Sequence, residues 1–299
     1  MTTVGLVGLG IMGSAMAANL MKAGYRVVGY DVLPARARAH ARAGGIAAPS
    51  CGEVGQRAAV VICSLPSAAA LAATAAELAG RAGAVGTVIE TSTLPISAKE
   101  DARRRLAAAG ITLLDCPLSG TGAQARVKDL VVYASGPRAA CRRVEGVFDG
   151  FARAHYYVGP FGAGSKTKFV ANLLVAIHNV ATAEALVLAM KAGLDPAVTL
   201  KVVADGAGSS RILQVRGPLM VRGDYSKPTM KLEIWQKDMR IIAEFARQVG
   251  CPTPLFRATA PIYAAALAEG RGAEDSGAVC AVLEKMAQYR RRSRAAREE

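Results

Sequence analysis

Short runs of aliphatic and β-branched residues alternate with alanine-rich stretches between residue 3 and about residue 160. The apolar runs are TVGLVG, YRVVGYD, AAVVICSLP, GTVIETST, ITLLDCPLS and DLVVYASG, and their length is typical of buried strands. The intervening stretches have helical spacing, for example at 14–23, 68–79 and 98–109, where Gly24 and Gly110 are placed as stops. Strands alternating with helices predict a Rossmann-type, doubly wound, mostly parallel sheet covered on both faces.

The pattern changes after the run GPFGAG, near residues 162–164. From about 165 to 192 the chain has the pattern of one long apolar helix that ends at Gly193, and Asp195-Pro196 begins another helix. The remaining sequence is helical, with turns at GDYSKP and VGCPTP. We therefore predict an α/β domain over residues 1–163 and an all-helical domain over residues 164–299, joined by the long helix.

Composition predicts a cytoplasmic globular protein of two packed domains. The chain has 299 residues, of which 52% are hydrophobic and 20% charged. Its first residues enter a strand pattern without a secretory leader, and apolar runs are interrupted well before membrane-spanning length. Six scattered cysteines lack metal-ligand spacing, which predicts reduced thiols and no metal site: Cys51, Cys63, Cys116, Cys141, Cys251 and Cys280.

The net charge of +14 is high, and the terminal run YRRRSRAAREE contributes five arginines between Arg290 and Arg297. Such a run is compatible with a nucleic-acid patch. We favour a solvated helix end, because only Tyr289 supplies an aromatic ring and positive charge suits the negative pole of a helix. The other positive charge suits an acidic ligand.

Three glycines, Gly8, Gly10 and Gly13, follow the first strand directly and open the first helix. In this context the first glycine permits a tight turn, the second lets the backbone approach a pyrophosphate, and the third lets helix and strand pack closely. The phosphates would meet free N–H groups at the positive end of the helix. The motif predicts a dinucleotide site.

The second strand ends in Asp31, close to the spacing at which an acidic residue binds the adenosine ribose. A carboxylate at that position repels a 2′-phosphate, which favours NAD. Arg36 and Arg38 lie nearby and are able to accommodate the phosphate, so use of NADP stays open.

Two lysines stand two positions apart in the stretch KTKFVANLL, after Gly162 and Gly164. Residues four apart share a helix face, so Lys168 neighbours Asn172 whereas Lys166 points away from both. An amine beside the carboxyl ends of the strands is placed to protonate a carbonyl oxygen as hydride arrives. Spacing alone leaves open whether Lys168 does so or is an ordinary surface lysine.

The chain resembles the β-hydroxyacid dehydrogenases, the family of 3-hydroxyisobutyrate dehydrogenase and tartronate semialdehyde reductase, and is 6-phosphogluconate dehydrogenase-like. The segments are GLGIMGSAMAANLMKAG, DCPLSGTGAQA, GAGSKTKFVANLL and KLEIWQKDMRIIAEFARQVG. They occur in the family's order, and the resemblance covers nearly the whole chain. The resemblance implies that residues 1–163 bind NAD(P) and that residues 164–299 bind substrate and form a homodimer or homotetramer.

The resemblance also implies the roles of individual residues. Lys168 matches the catalytic lysine. The substrate is a small carboxylate-bearing molecule bound by Ser119, Gly120, Thr121 and Asn172. The cofactor is bound by Gly8, Gly10, Ile11, Met12, Gly13, Asp31, Leu65, Pro66, Thr93 and Lys237.

Three departures from the family pattern affect the substrate site. Thr121 stands where a second glycine is usual, Lys128-Asp129 replaces Gly-Thr, and Ala171 replaces the first of two asparagines. We expect Thr121 to narrow the pocket or to add a hydroxyl contact. The expected reaction is hydride transfer between NAD(P) and a small β-hydroxy acid or semialdehyde. The alternatives are a reductase of larger aldehydes or imines, and a non-catalytic nucleotide-binding or nucleic-acid-binding relative.

Overall fold

The computed structural model describes residues 2–80 and 83–291. The chain divides into two compact units, the first ending at Phe169 and the second beginning at Val170. The strands of the first unit are β1 (Thr3–Val7), β2 (Arg26–Tyr30), β3 (Ile46–Ala47), β4 (Val60–Cys63), β5 (Thr87–Glu90), β6 (Thr112–Asp115), β7 (Leu118–Ser119), β8 (Val131–Ser135) and β9 (Ala154–Gly159). Its helices are α1 (Ile11–Lys22), α2 (Pro34–Arg42), α3 (Cys51–Arg57), α4 (Ala68–Ala79), α5 (Ile96–Ala108), α6 (Gly122–Arg126), α7 (Arg138–Arg143) and α8 (Glu145–Phe151).

The sheet has the doubly wound order β3-β2-β1-β4-β5-β6, and all of these strands are parallel. Strand β8 then pairs antiparallel with β6 and β7, and β9 pairs parallel with β8. The predicted mostly parallel sheet is confirmed. The sequence pattern missed β3, which has two residues, and β9, whose AHYYVG residues are partly exposed. In a parallel sheet the carboxyl ends of the strands share one edge, where ligands of such folds bind.

The sheet is covered on both faces. Successive residues of its central strands point to opposite sides and enter two different buried clusters. Leu6 and Ile62 belong to one buried cluster, completed by α1 and α8. Val7 and Val61 belong to the other, completed by α3, α4 and α5. Burial on both faces explains why these strands read as continuous apolar runs rather than alternating ones.

The second unit is helical throughout its described residues, 170–291, as predicted. The long helix α9 (Ala163–Lys191) begins in the first unit, and α10 (Pro196–Asp205), α11 (Arg211–Arg222), α12 (Leu232–Gln248), α13 (Pro254–Ala268), a 3-10 turn (Ser276–Ala278) and α14 (Val279–Met286) follow. Asp195 caps α10 through its carboxylate, which accepts the N–H groups of Ala197 at 2.7 Å and Val198 at 2.9 Å. Inside the unit, Asn179 donates to the Tyr263 hydroxyl at 3.0 Å.

Helix α9 is long and apolar enough to cross a membrane by length and composition alone. The sequence pattern did not predict this, because the apolar runs were expected to be interrupted before membrane-spanning length. Half of its most apolar window is buried within the protein. The core helices of globular proteins have the same character.

Candidate functional site

The glycine turn after β1 has the tight backbone and the close packing that its spacing predicts. Gly8 has φ +93°, and a Cβ there would lie 2.1 Å from the carbonyl oxygen of Ser64. A Cβ at Gly13 would lie 1.8 Å from the carbonyl oxygen of Gly8, so helix α1 meets the turn backbone directly. Any larger residue at either position would displace backbone atoms.

Gly10 differs from these two glycines because a Cβ there would meet only the Arg36 Nη1, at 3.9 Å. Gly10 is the N-cap of α1, and no side chain caps this helix among the described residues. Ile11 is exposed and Met12 half-buried beside it. Backbone N–H groups at an uncapped helix start, with open space at a glycine, suit the pyrophosphate of a dinucleotide. The residues present therefore fit NAD(P).

Asp31, at the end of β2, is buried and fixes the glycine turn. Its Oδ2 accepts the N–H of Leu9 at 2.8 Å and its Oδ1 accepts the N–H of Leu33 at 2.8 Å. The half-exposed Arg36 guanidinium lies 3.3 Å from Oδ2, whereas Arg38 is exposed on α2. Sequence spacing predicted Asp31 as a ribose ligand, which stays a prediction, and did not predict its role as the acceptor that connects the turn to β2. Carboxylate oxygens have further acceptor capacity for ribose hydroxyls.

Two further strand ends carry predicted cofactor residues. Leu65, after β4, donates its N–H to the Ser92 Oγ at 2.8 Å, and the Ser92 N–H donates to Glu90 Oε1 at 2.8 Å. Pro66 is exposed and Thr93 is half-buried. The hydroxyl of Ser92 thus joins the segments after β4 and β5 at the carboxyl edge of the sheet.

The predicted substrate loop packs against the cofactor helix within the first unit. Ser119 ends β7 and pairs with Val131, and Gly120 follows with φ +130°. A Cβ at Gly122 would lie 2.3 Å from Ile11 Cγ2, so the start of α6 is in contact with the start of α1. Buried Asn19 of α1 adds a hydrogen bond to the carbonyl of Ala125, at 2.7 Å.

Thr121 is the N-cap of α6, which gives its side chain a local role. Gln124 Oε1 accepts the Thr121 backbone N–H at 3.0 Å and lies 3.4 Å from its hydroxyl. Gln124 also donates to Asp129, at 3.1 Å, and Arg153 donates to Asp129 at 2.7 Å. Thr121 and Asp129, which both depart from the family pattern, therefore belong to one polar network around Gln124. Lys128, directly before Asp129, has φ +62°, a conformation that glycine adopts without strain.

Helix α9 begins against the carboxyl end of β6. The Ser165 N–H donates to Asp115 Oδ2 at 2.8 Å, and the Ser165 hydroxyl donates to Oδ1 at 2.8 Å. A Cβ at Gly164 would lie 2.5 Å from the Asp115 carbonyl oxygen, so this glycine permits the close approach. One turn later Lys168 is half-buried, while Lys166 is exposed. The predicted separation of the two lysines on the helix is confirmed.

A buried lysine lies at the same edge of the sheet and was not predicted. Lys99 of α5 is 2.6 Å from Glu90 Oε2 and 2.8 Å from Asp115 Oδ1, and all three side chains are fully buried. Burial lowers the pKa of Lys99, but the attraction of Glu90 and Asp115 outweighs it and raises the pKa above its usual value. The sequence did contain a signal, since Lys99 shares the helical spacing of the buried residues Ala102 and Leu106.

In the second unit, Asp238 connects two predicted site residues. Buried Asn172 donates its Nδ2 to Asp238 Oδ2 at 3.0 Å, and the Lys237 ammonium lies 3.4 Å from Asp238 Oδ1. Asp238 was not among the predicted residues, although it follows Lys237 directly. The other predicted residues, including Lys168, belong to the first unit.

The described part of the terminal basic run is held by the second unit. Arg291 donates to the carbonyl of Val221 at 2.7 Å and forms an ion pair with Glu284. It therefore satisfies carbonyl groups at the end of α11. Residues 292–299 lie outside the described residues. Within the described ranges, no group of three His, Cys, Asp or Glu side chains is placed to hold a metal ion.

Two family models match the chain, one for each half. Residues 3–159 match the NAD binding domain of 6-phosphogluconate dehydrogenase. Residues 162–283 match the NAD-binding model of NADP-dependent 3-hydroxyisobutyrate dehydrogenase.

Individual relatives match over almost the whole chain. It is 34% identical to an L-threonate dehydrogenase of Cupriavidus necator, covering 94% of this chain and 95% of the relative. A 3-hydroxyisobutyrate dehydrogenase of Pseudomonas aeruginosa is 33% identical, covering 85% of this chain and 89% of that protein. The crystal structure of a 3-hydroxyisobutyrate dehydrogenase from Salmonella typhimurium has a TM-score of 0.84 and 30% identity, covering 94% of this chain and 100% of the other.

Proposed function

The chain belongs to the β-hydroxyacid dehydrogenase family and is an NAD(P)-dependent dehydrogenase, and we propose that it interconverts a small β-hydroxy acid and its carbonyl product with Lys168 as the proton-transfer residue. The alternatives, a reductase of larger aldehydes or imines and a non-catalytic nucleotide-binding or nucleic-acid-binding relative, are not supported by these relatives. The observation that carries the proposal is the hydrogen-bonded start of α9 on Asp115, one turn before Lys168.

The glycine turn and Asp31 are the residues that would hold the cofactor. Open backbone at Gly10 suits the pyrophosphate, and the buried carboxylate of Asp31 suits the ribose. A bound NAD(P) would supply the hydride chemistry, as acceptor from the alcohol carbon or donor to the carbonyl carbon. Leu65, Pro66 and Thr93 would line the same edge of the sheet, and we assign Lys237 to the cofactor as well.

Lys168 would carry the proton that balances hydride transfer. As the alcohol is oxidised, its hydroxyl proton passes to the Lys168 amine while the carbon–oxygen double bond forms. In the reverse direction, the ammonium protonates the oxygen as the carbon gains hydride. A primary amine is suited to both steps because it exchanges a single proton with an oxygen within hydrogen-bond distance.

The remaining polar residues would orient the substrate. The Ser119 hydroxyl and the backbone N–H of Gly120 are donors, which suit the carboxylate, and Thr121 would complete the loop with its N–H held by Gln124. Asn172 has its amide nitrogen directed to Asp238, so its oxygen is left to accept a hydrogen bond from a substrate hydroxyl. We therefore propose hydroxylated short-chain acids as substrates, with threonate and 3-hydroxyisobutyrate, which the relatives' names specify, as the first compounds to assay.

The test compares Lys168→Ala with Lys166→Ala in steady-state oxidation of a panel of short hydroxy acids, with NAD and NADP assayed separately. We expect Lys168→Ala to reduce kcat by about 10²- to 10⁴-fold, the usual contribution of general acid–base catalysis, with little change in cofactor affinity. Lys166→Ala is the matched control and should keep normal turnover, because its side chain is exposed two positions away. Near-normal turnover of Lys168→Ala would reject the assignment.

We further propose that the chain acts in the cytoplasm as a homodimer or homotetramer. All six cysteines are free thiols, which is typical of a reducing compartment. Helices α9 and α10 expose apolar side chains that suit a subunit interface: Val170, Leu174, Leu188, Val198 and Val202. Light scattering coupled to size exclusion, with Leu188→Glu as the disrupting variant, tests the assembly. A monomer mass for the unmodified protein at micromolar concentration would contradict it.

A further inference from the structure

Lys99 is a fully buried charged residue that takes no part in the proposed reaction. Its ammonium contacts the carboxylates of Glu90 and Asp115 and donates to the Ser92 carbonyl at 2.7 Å. Taking an ammonium and two carboxylates out of water is costly unless each is compensated by partners of good geometry. One positive charge against two negative charges leaves a net negative charge in this cluster, at the carboxyl ends of β5 and β6.

The excess negative charge faces the start of helix α9. Asp115 accepts both the backbone N–H and the hydroxyl of Ser165, in the first turn of α9. The Ser135 hydroxyl donates to the Asp115 carbonyl at 2.8 Å and accepts the Gly164 N–H at 2.9 Å. A helix start carries unsatisfied N–H groups and partial positive charge, so a carboxylate there is doubly stabilising. Asp115 therefore caps α9 from a neighbouring strand.

The same cluster reaches the cofactor edge. Ser92 supplies its carbonyl to Lys99 and its hydroxyl to the Leu65 N–H. Glu90, the second carboxylate, accepts the Ser92 N–H. Lys99 thus joins the segment after β4, the end of β5 and the start of α9 through buried polar contacts.

We propose that Lys99 is a positioning residue for Lys168. Its ammonium holds the Asp115 carboxylate in place, and Asp115 fixes the first turn of α9, one turn before Lys168. The inference rests on the proposed function of Lys168. Without the ammonium, the buried Glu90 and Asp115 side chains would lose the cation that both of them contact, and Asp115 would shift from its present position. Such a shift weakens the cap on α9 and displaces Lys168.

The test uses Lys99→Met, which keeps an unbranched side chain one atom shorter and removes its charge, and Ser165→Ala, which removes one hydrogen bond to Asp115. Arg104→Met on the same helix is the control, because its side chain is 67% exposed. Each variant is assayed as folded, full-length protein for kcat, KM and the NADH dissociation constant. We expect kcat to fall about 10²-fold in Lys99→Met and about 10-fold in Ser165→Ala, since small displacements of a catalytic group have effects of this size. KM and NADH binding should change less than about twofold, and Arg104→Met should behave like the unmodified protein.

A double-mutant cycle separates positioning from general stability. Combined with Lys168→Ala, both Lys99→Met and Ser165→Ala should reduce kcat by less than about twofold further, because the group they position is absent. An equal loss of kcat in both backgrounds would overturn the inference, as would unchanged kcat in folded Lys99→Met. If Lys99→Met does not fold, the Ser165→Ala cycle decides. Normal turnover of Lys168→Ala alone would instead reject the proposed function, on which the inference depends.

Discussion

Asn172 donates its amide hydrogen to the carboxylate of Asp238, at 3.0 Å, and both side chains are buried. A carboxylate accepts but does not donate, so this contact fixes which end of the amide faces Asp238. The Asn172 oxygen is therefore directed away from it. This orientation is a property of the pair and is not encoded in Asn172 alone.

Replacing Asn172 by Asp should place two carboxylates at hydrogen-bond distance inside the second unit. We expect the free energy of unfolding to fall by about 1–3 kcal/mol in Asn172→Asp, the usual cost of losing a buried hydrogen bond with its partner left unsatisfied. The double variant Asn172→Asp with Asp238→Asn recreates the pair with donor and acceptor exchanged. It should recover stability in urea unfolding while turnover stays low, because a negative charge then replaces the neutral amide oxygen. Failure to recover stability would show that the contact is not the dominant one.

Arg36 should set the tolerance of the cofactor site for a 2′-phosphate. Its guanidinium lies 3.3 Å from Asp31 and within 3.9 Å of the Cβ position of Gly10, whereas Arg38 is exposed further along α2. We expect Arg36→Ala to raise KM for NADPH about 10-fold, which corresponds to about 1.4 kcal/mol. The KM for NADH should change at most about twofold. Arg38→Ala serves as the control and should leave the NADPH to NADH ratio unchanged. Equal effects of the two variants would contradict this role.

Lys128 is in the left-handed region, at φ +62°, just after α6. A residue with a Cβ pays about 1–2 kcal/mol for this conformation, and glycine does not. Lys128→Gly should therefore raise the free energy of unfolding by about 1 kcal/mol. Val127→Gly is the matched control, because φ there is −104° and glycine only adds flexibility to the unfolded chain. A thermal unfolding midpoint that rises in Val127→Gly and falls in Lys128→Gly would be the opposite of this expectation.

His40 should make stability sensitive to mild acid. The ring is buried, with Nε2 3.1 Å from the Val27 carbonyl oxygen, and burial lowers its pKa below the usual 6.5. In the unfolded chain the histidine takes up a proton first as pH falls. Its contribution is therefore fully present above pH 6.5 and is lost as pH falls from there through the lower folded-state pKa.

The measurement is the difference in unfolding free energy between the unmodified protein and His40→Gln from pH 8 down to pH 5. We expect this difference to be constant above pH 7 and to shift in favour of the variant as pH falls, since glutamine does not titrate. A constant difference over the whole range would show that burial does not hold His40 neutral.

Much of the fold could be predicted from local sequence. The runs at β1, β2, β4, β5, β6 and β8 are apolar because both faces of the sheet are covered, and Gly24 and Gly110 end their helices with φ +89° and +75°. Strands β3 and β9 escaped prediction because one is very short and the other is partly exposed. The glycine turn was predictable because a tight turn and a close approach of helix and strand require glycines at this spacing.

Long-range polar contacts could not be predicted in this way. The polar network around Thr121 includes Arg153, which donates to Asp129 from 24 positions away in the sequence. Lys99 carries a helical signal of burial, yet its partners Glu90 and Asp115 come from two strands at other positions in the chain. Asp238 orients the Asn172 amide through a contact between residues 66 positions apart in sequence, which local patterns do not encode.

The sequence by itself determined the main alternation of strands and helices and the glycine turn, because hydrophobic periodicity and backbone freedom are local properties, whereas Lys168 was singled out by its resemblance to a family motif. Tertiary structure decided which carboxylate each polar group meets, how the amide of Asn172 is turned and why α9 begins where it does. Those outcomes depend on buried charges finding partners across the sheet, and the energy of such contacts depends on three-dimensional distance rather than on separation along the chain.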